Sequence, residues 1–428
     1  MKPATLSYDA LLASVEKLPD DGLAVTRRAA LDHLHKHGLP TTRHEDWKYT
    51  DLTKIVDIGN QFLDGQWDQP TSQATGDLVN SIRDSIEADW LVMSNGIIDQ
   101  ESIAGLGQTG ISVTRLSEAD GEMEFSTPLS DLNAALLYDG LRIHVAADAA
   151  LTRPIGILLV DDATTSPGMS QTRIEIELAA SSTASFIEYH ASSGSADHYA
   201  NSVSNLKLGD NSHADYVRIQ ERDRSHNQTN RLTVGLGRDS RFNHCAFDFG
   251  GRLVRNDLTV DIAHPGATAA FDGLYLAGGQ QHIDNHTRAD HRVGPGISHQ
   301  EYRGIMTGHA RGVWNGKAIV HDGADGTDAE QANHNLLLSD KAEIDAKPEL
   351  EIYADDVKCS HGTTVGQLDE TALFYLRTRG LNEHEAKQIL TRAFAQAIVS
   401  KSPIDSIHEM LTTKIAERLS GLMQGVEA

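Results

Sequence analysis

The sequence predicts a mainly β protein with a parallel β-helix, or β-solenoid, between helical ends, on three observations. From Leu141, for about 215 residues, short alternating or β-branched runs follow one another, among them Arg142–Ala147 (RIHVAA), Arg173–Leu178 (RIEIEL), Tyr216–Glu221 (YVRIQE) and Leu258–Ala263 (LTVDIA). Gly, Asp, Asn or Ser clusters separate them, as strands and turns require. Second, LGDNS at Leu208–Ser212 recurs as LGRDS at Leu236–Ser240, 28 residues later, and LTV at Leu232 recurs at Leu258, 26 residues later. Similarity at a near-fixed period marks stacked rungs. Third, the flanks carry helical periodicity instead. An all-β sandwich also gives many short strands at regular spacing; the length of the region and its repeat favour the solenoid. The boundaries read as a mainly helical region over 1–140, the β-helix over 141–361 and a helical domain over 362–428.

The N-terminal region opens with Leu11, Leu12, Val15 and Leu18 on one apolar stripe, and a second segment from Leu23 to His37 is closed by Gly38 and Pro40. The run Thr41–Leu52 (TTRHEDWKYTDL) mixes Trp47 and Tyr49 with charges, and reads as a loop pinned to a domain surface by its aromatics. Gln61 to Asp89 is polar and poorly patterned. Trp90–Asp99 and Ile111–Leu116 read as strands, and Ser130–Gly140 as a helix ending on its glycine.

Beyond the β region, Asp369 can cap a short helix that stops at Gly380, and Asn382 with Glu385 has capping-box spacing. Ala386, Ile389, Leu390, Ala393, Phe394, Ala397 and Ile398 then share one helical face. Ser402 and Pro403 open a last helix with Ile404, Ile407, Leu411, Ile415, Leu419 and Leu422 along one side. This apolar surface packs on the end of the solenoid or docks a partner protein.

A chain of 428 residues with 39% apolar content can fill a real core. Its formal charge of -24 leaves no general basic footprint, which argues against nucleic acid and anionic membrane. No run approaches the roughly 20 apolar residues of a spanning helix, and a cytoplasmic setting is expected. Cys245 and Cys359, 114 residues apart, form neither a disulfide framework nor a CxxC pair.

The nucleotide motifs fail. In the approach to a P-loop at Gly312–Ala318 (GVWNGKA), Arg311 replaces the first glycine and Ala318 the magnesium-binding hydroxyl. Gly235–Ser240 (GLGRDS) fails the dinucleotide fingerprint at its last position. His282, Asp284 and His286 alternate, so on a strand they share a face that could chelate a divalent metal, although a solvated polar face explains them as well. Cys359 and His361 are the strongest pair. On a strand both point the same way, and a protonated His361 would raise the thiolate fraction of Cys359, as a soft metal or sulfur chemistry requires. A structural Cys beside a capping His accounts for them equally.

Several long motifs carry a resemblance. His286–His291 (HTRADH), Tyr302–Gly308 (YRGIMTG), Trp314–Val320 (WNGKAIV), Thr327–Ser339 (TDAEQANHNLLLS) and Lys347–Gly362 (KPELEIYADDVKCSHG) resemble the SufB/SufD family of iron-sulfur cluster assembly proteins, over about residues 140 to 400. The Arg43–Leu52 run and the junction after Cys359 are similar to the SufD branch. The resemblance implies a right-handed parallel β-helix and a non-catalytic scaffold. It implies pairing with SufB through the β-helix, and docking of the SufC ATPase by the C-terminal helices through Ile389, Leu390, Phe394, Ile398 and Leu411. His361, with Cys359 beside it, would be a ligand of a transient iron-sulfur cluster shared with SufB. The isolated chain could form a homodimer through the same surface, and the family complex is associated with reduced flavin. Two other readings stand beside this one: a SufB-like paralogue carrying the cluster or persulfide itself, and a β-helix enzyme acting on carbohydrate.

Overall fold

The computed structural model describes residues 5–63, 71–118, 123, 127–164 and 167–424. The chain begins with α1 (Tyr8–Val15), α2 (Ala24–His37), α3 (Thr53–Phe62) and α4 (Gln73–Ser85). Ser7 and Ser72 cap α1 and α4 by accepting backbone N–H groups, and Gly38, at φ 69°, ends α2. The weakly patterned Gln61–Asp89 stretch supplies α4, with Thr75 and Ile82 buried; its residues 64–70 lie outside the described residues. Between α2 and α3 the Trp47 loop runs as a strap with one short 3₁₀ turn, Glu45–Trp47.

Next come β1 (Asp89–Ser94), β2 (Ile97–Ile98), α5 (Gln100–Ala104), β3 (Ile111–Arg115) and α6 (Pro128–Ala135). The long β region follows as β4 (Leu141–Val145), β5 (Ile155–Ala163), β6 (Gly168–Leu178), β7 (Thr183–Gly194), β8 (His198–Leu208), β9 (His213–Gln220), β10 (His226–Leu236) and β11 (Arg241–Asp248). It continues through β12 (Leu253–Ile262), β13 (Thr268–Ala277), β14 (His282–His291), β15 (Ile297–Met306), β16 (Arg311–Val320), β17 (Asp328–Leu337), β18 (Glu343–Ile352) and β19 (Lys358–Gly366).

Each strand from β4 to β17 pairs in parallel with the strand two places further on, so two sheets coil into a solenoid of about 7 turns. The first sheet has the order β19-β17-β15-β13-β11-β9-β7-β5-β1-β2, and the second β18-β16-β14-β12-β10-β8-β6-β4-β3. The sheets therefore reach beyond residues 141–361 at both ends. The sequence repeats are successive rungs: Leu208 pairs with Leu236 and Leu232 with Leu258. Asn211 and Asp239 turn the matching corners at φ 57° and 56°, a left-handed geometry that Asn and Asp adopt more readily than most residues.

The interior has two characters. Ile157, Phe186, Leu206, Val234 and Phe271 fill one side with apolar bulk, worth roughly 1.5–3 kcal/mol for each large side chain. The other side is a buried polar network. Arg222 Nε donates to Asp161 (2.5 Å), His190 contacts Arg222 (2.6 Å) and Glu188 (2.5 Å), and Arg218 pairs with Asp248 (3.0 Å).

The tail is α7 (Glu370–Thr378), α8 (Glu383–Val399) and α9 (His408–Gln424). Asp369 caps α7, and the Asn382–Glu385 capping box is fully formed. The last helix starts later than Pro403, after a 3₁₀ turn at Asp405–Ile407. The tail lies against the outer flank of the first sheet rather than on the solenoid's end. Ile398, Val399, Ile404, Ile407, Leu411 and Ile415 pack there with Cys245, Phe247, Leu274 and Ile305. A parallel sheet covered on both faces needs apolar side chains on both, which is why β11 carries Phe242, Cys245 and Phe247 together.

Candidate functional site

The two ends of the solenoid differ. At the first, the antiparallel strands β2 and β3 border the sheets, and Ile103 and Leu106 pack against the interior. At the last, no strand among the described residues pairs with the outer edge of β18 or β19. Ile352 (44% exposed), Tyr353 (63%) and Val365 (48%) sit there in the open, where a paired edge and a covered face would be expected of a finished sheet.

Cys359 and His361 stand in this mouth. Cys359 is in register with Ala329, and His361 with Gln331, on β17; one rung deeper lie Ser298 and Gln300, then Ala269 and Phe271 of the core. Because side chains alternate along a strand, Cys359 and His361 share the face that looks into the solenoid. Below them the interior is polar: Thr287 donates to Gln300 (2.7 Å), and His291 contacts Ser298 (2.8 Å). His361 is exposed and Cys359 half-buried. Burial, with the nearby Asp328 charge, pushes the Cys359 thiol up despite a backbone hydrogen bond from Ala329. Cys359 thus offers a thiol that a soft metal would have to deprotonate.

His282, Asp284 and His286 do lie on one outward face of β14, but Asp284 is engaged. One of its oxygens accepts from Thr50 (2.5 Å) and Arg255 (2.6 Å), and the other faces His286 (3.1 Å). His282 faces Thr50 at 3.0 Å. Burial raises the Asp284 carboxyl, and Arg255, His286 and Thr50 overcome it to hold the group far below the usual carboxylate range. The strap completes this anchor: the Trp47 ring lies 4.5 Å from the Arg255 guanidinium, Tyr49 faces Arg311, and Glu45 pairs with Lys347 at 2.8 Å. Trp47 and Tyr49 thus pin a loop to the solenoid, as their setting implies. Among the described residues no three His, Cys, Asp or Glu side chains are grouped to hold a metal ion.

The five tail residues divide. Ile398 and Leu411 are fully buried against the first sheet and are unavailable to a partner, because folding back on the flank consumes their face. Leu390 and Phe394 are half-buried, the latter beneath Arg303 at 4.9 Å, and Ile389 is 45% exposed. Within the tail the largest exposed apolar groups are instead Phe374 (69%) and Tyr375 (56%) on α7, a helix with no buried residue. Sequence reasoning passed over them, although two aromatics in a short, weakly amphipathic helix were a signal.

A sequence profile described as the SUF system FeS cluster assembly SufBD core domain matches residues 160–394, more than half of the chain. The chain belongs to the SufBD family. Across the family the likeness extends to full length: a SufBD family iron-sulfur cluster assembly protein of Synechocystis is 28% identical over 420 residues, covering 93% of this chain and 92% of that one. SufD of Escherichia coli is 27% identical over 410 residues (91% and 92%), and SufD of Bacillus subtilis 24% over 326 residues (76% and 74%). This SufBD protein is therefore SufD-like, and the open last rung lies inside the matched region.

Proposed function

We propose that this chain is a non-catalytic scaffold subunit that pairs with SufB across the open mouth of its solenoid, contributing His361, and secondarily Cys359, to a cluster assembled between the two proteins. The observation that carries the reading is the last rung: unpaired strand edges and exposed apolar side chains surround two potential ligands that face inward. A second open solenoid meeting this one would pair the edges, cover the apolar rim and bring its own donors to the same space. The cluster is cargo, built and handed on.

The second contact is with the SufC ATPase. Phe374, Tyr375 and Ile389 form the exposed apolar part of the tail, of the kind that docks a partner. ATP chemistry belongs to that partner, since the segment resembling a P-loop, Gly312–Ala318, lies inside strand β16 rather than in a phosphate-cradling loop. Flavin finds no dinucleotide cradle in the Gly235–Ser240 segment, which passes from β10 into β11 and opens no helix, so no part of the reading runs through it. No helix among the described residues is long and apolar enough to cross a membrane, which suits a cytoplasmic assembly.

Co-expression with SufB and SufC from the same source tests the reading. The three proteins are expected to co-elute on size exclusion; elution of this chain apart from both would end the proposal. If SufB is left out, pairing of two copies of this chain through the same mouth is the expected substitute.

A further inference from the structure

On the outer face of the second sheet, on the other sheet from Cys359 and His361, a groove of about 310 Å³ lies between the strap at Trp47 and the first turn of α6. That volume is at the lower end of small-molecule sites, roughly 300–1,000 Å³, and interfaces between structural units are where such sites form. Its floor is a row of outward side chains in register on successive strands: Arg231 on β10, Asp257 on β12, His286 on β14 and Asn315 on β16. Arg288 and Lys317 stand in the adjacent row.

The charges on this floor are unevenly used. Asp257 is already matched by the buried Arg255 at 2.8 Å. Arg288 is matched by Asp290 and Lys317 by Glu351, but both remain partly exposed. Arg231 differs. No carboxylate among the described residues comes within ion-pair distance of it and no hydrogen bond holds its guanidinium; Asp257, committed to Arg255, is its electrostatic neighbour. Likewise the Asn315 amide and the Nδ1 side of His286 have no hydrogen-bond partner among the described residues, His286 meeting Asp284 through Nε2. The other three cations of the groove are committed, Arg255 to Asp257 and Asp284, Arg288 to Asp290, and Lys317 to Glu349 and Glu351, which leaves Arg231 as the uncommitted charge. Free donors and an unpaired planar guanidinium fork select oxyanions.

We propose that this groove binds a small organic polyanion, a di- or tricarboxylate or an organic phosphate. Three strand spacings separate Arg231 from Asn315 and Lys317, roughly 14 Å of backbone, and Arg288 and Lys317 swing away from Asp290 and Glu351 to reach across that span. The Arg231 fork takes one anionic end, while Arg288 and Lys317 take the other, and Asn315 and His286 bond the middle. Trp47, which closes one wall, changes environment when the groove fills. The proposal does not depend on pairing with SufB or docking of SufC.

Titration calorimetry on the full chain at low ionic strength, with citrate and pyrophosphate as separate probes, decides it. One of the two is expected to bind with single-site stoichiometry, and which one tells carboxylate from phosphate. Arg231→Gln is expected to weaken binding by about tenfold or more, while Arg241→Gln, on the other sheet, leaves it unchanged. Lys317→Gln, on the far side of the groove, serves as second variant if Arg231→Gln fails to fold by circular dichroism. No saturable heat from either probe up to about 10 mM, a range that covers weak millimolar sites, overturns the proposal. So does equal weakening by the groove variant and Arg241→Gln, or none by either.

Discussion

The Trp47 ring lies 4.5 Å from the Arg255 guanidinium, and that contact ties the N-terminal strap to two neighbouring strands, β12 and β14, at once. Arg255 also holds Asp257 and Asp284 and donates to the backbone oxygen of Asp46. Trp47→Ala removes one cation–π face and part of an apolar cover, and is expected to cost about 1–2 kcal/mol. Arg255→Met leaves the buried Asp284 and the half-buried Asp257 without their cation, and is expected to cost about 3–5 kcal/mol. Urea unfolding midpoints of the two variants check the order.

His361→Ala is expected to leave stability within about 0.5 kcal/mol of wild type, since the side chain is exposed. Under the proposed function, the co-expressed complex still forms but loses iron and acid-labile sulfide. Cys359→Ser is expected to lose less, its thiol being held protonated. Normal cluster content in the His361 variant would reduce that residue to a structural one.

On the tail, Phe374→Asp and Ile389→Asp are expected to abolish co-elution with SufC while the far-ultraviolet circular dichroism stays unchanged. Ile398→Asp differs in kind. It places a charge in the flank core and is expected to lower the unfolding free energy by about 3 kcal/mol or more. Equal behaviour of all three would contradict the division between buried and presented residues.

Acid is expected to destabilise the solenoid from below neutrality. Burial lowers His190 and His226 to about 4 and His244 to about 3, so each is neutral when folded at pH 7. Their unfolded pKa is about 6.5. The stability they contribute is complete above that value and declines as pH falls toward 4, because the unfolded chain takes up the protons first. Each site adds up to about 1.4 kcal/mol per pH unit in that window. Glu188 extends the trend: burial raises it, but His190, Tyr216 and Arg218 prevail and bring it to about 2, so its contribution is lost from about 4.5 downward. Urea midpoints at pH 7.5, 6 and 5 should fall with increasing steepness, and His244→Phe should flatten the curve.

Gly316 lies beneath the buried Trp314 ring, where an added Cβ would come within 2.2 Å of the indole. Gly316→Ala is expected to cost about 1–3 kcal/mol through overpacking, whereas Gly235→Ala, with open space at its Cβ, is expected to be near neutral. Thermal unfolding of the two variants provides the comparison.

Much of the fold was legible because a solenoid repeats. Leu208 and Leu236, or Leu232 and Leu258, announce their pairing by recurring with the same turn chemistry. The capping box at Asn382 was equally local, so its helix could be placed to the residue. What could not be read was which surface the tail would cover. The helical faces of Ile398 and Leu411 look alike for a partner or for a flank, and only the apolar outer face of β11 and β13 decides. The pinning role of Asp284 was hidden too, since its partners Thr50 and Arg255 are 234 and 29 residues away. Arg231 gave no signal, because an arginine without a partner differs from a paired one only in space.

The alternation of β19 makes spacing as strict as identity. A chain one residue longer between Ile352 and Lys358 would turn Ser360 and Gly362 into the mouth and send Cys359 and His361 to solvent, with every residue type retained. A two-residue insertion would restore their direction while moving them along the rung. Variants of this corner therefore behave as a two-position counter, in which odd changes in length switch the ligands out and even changes bring them back.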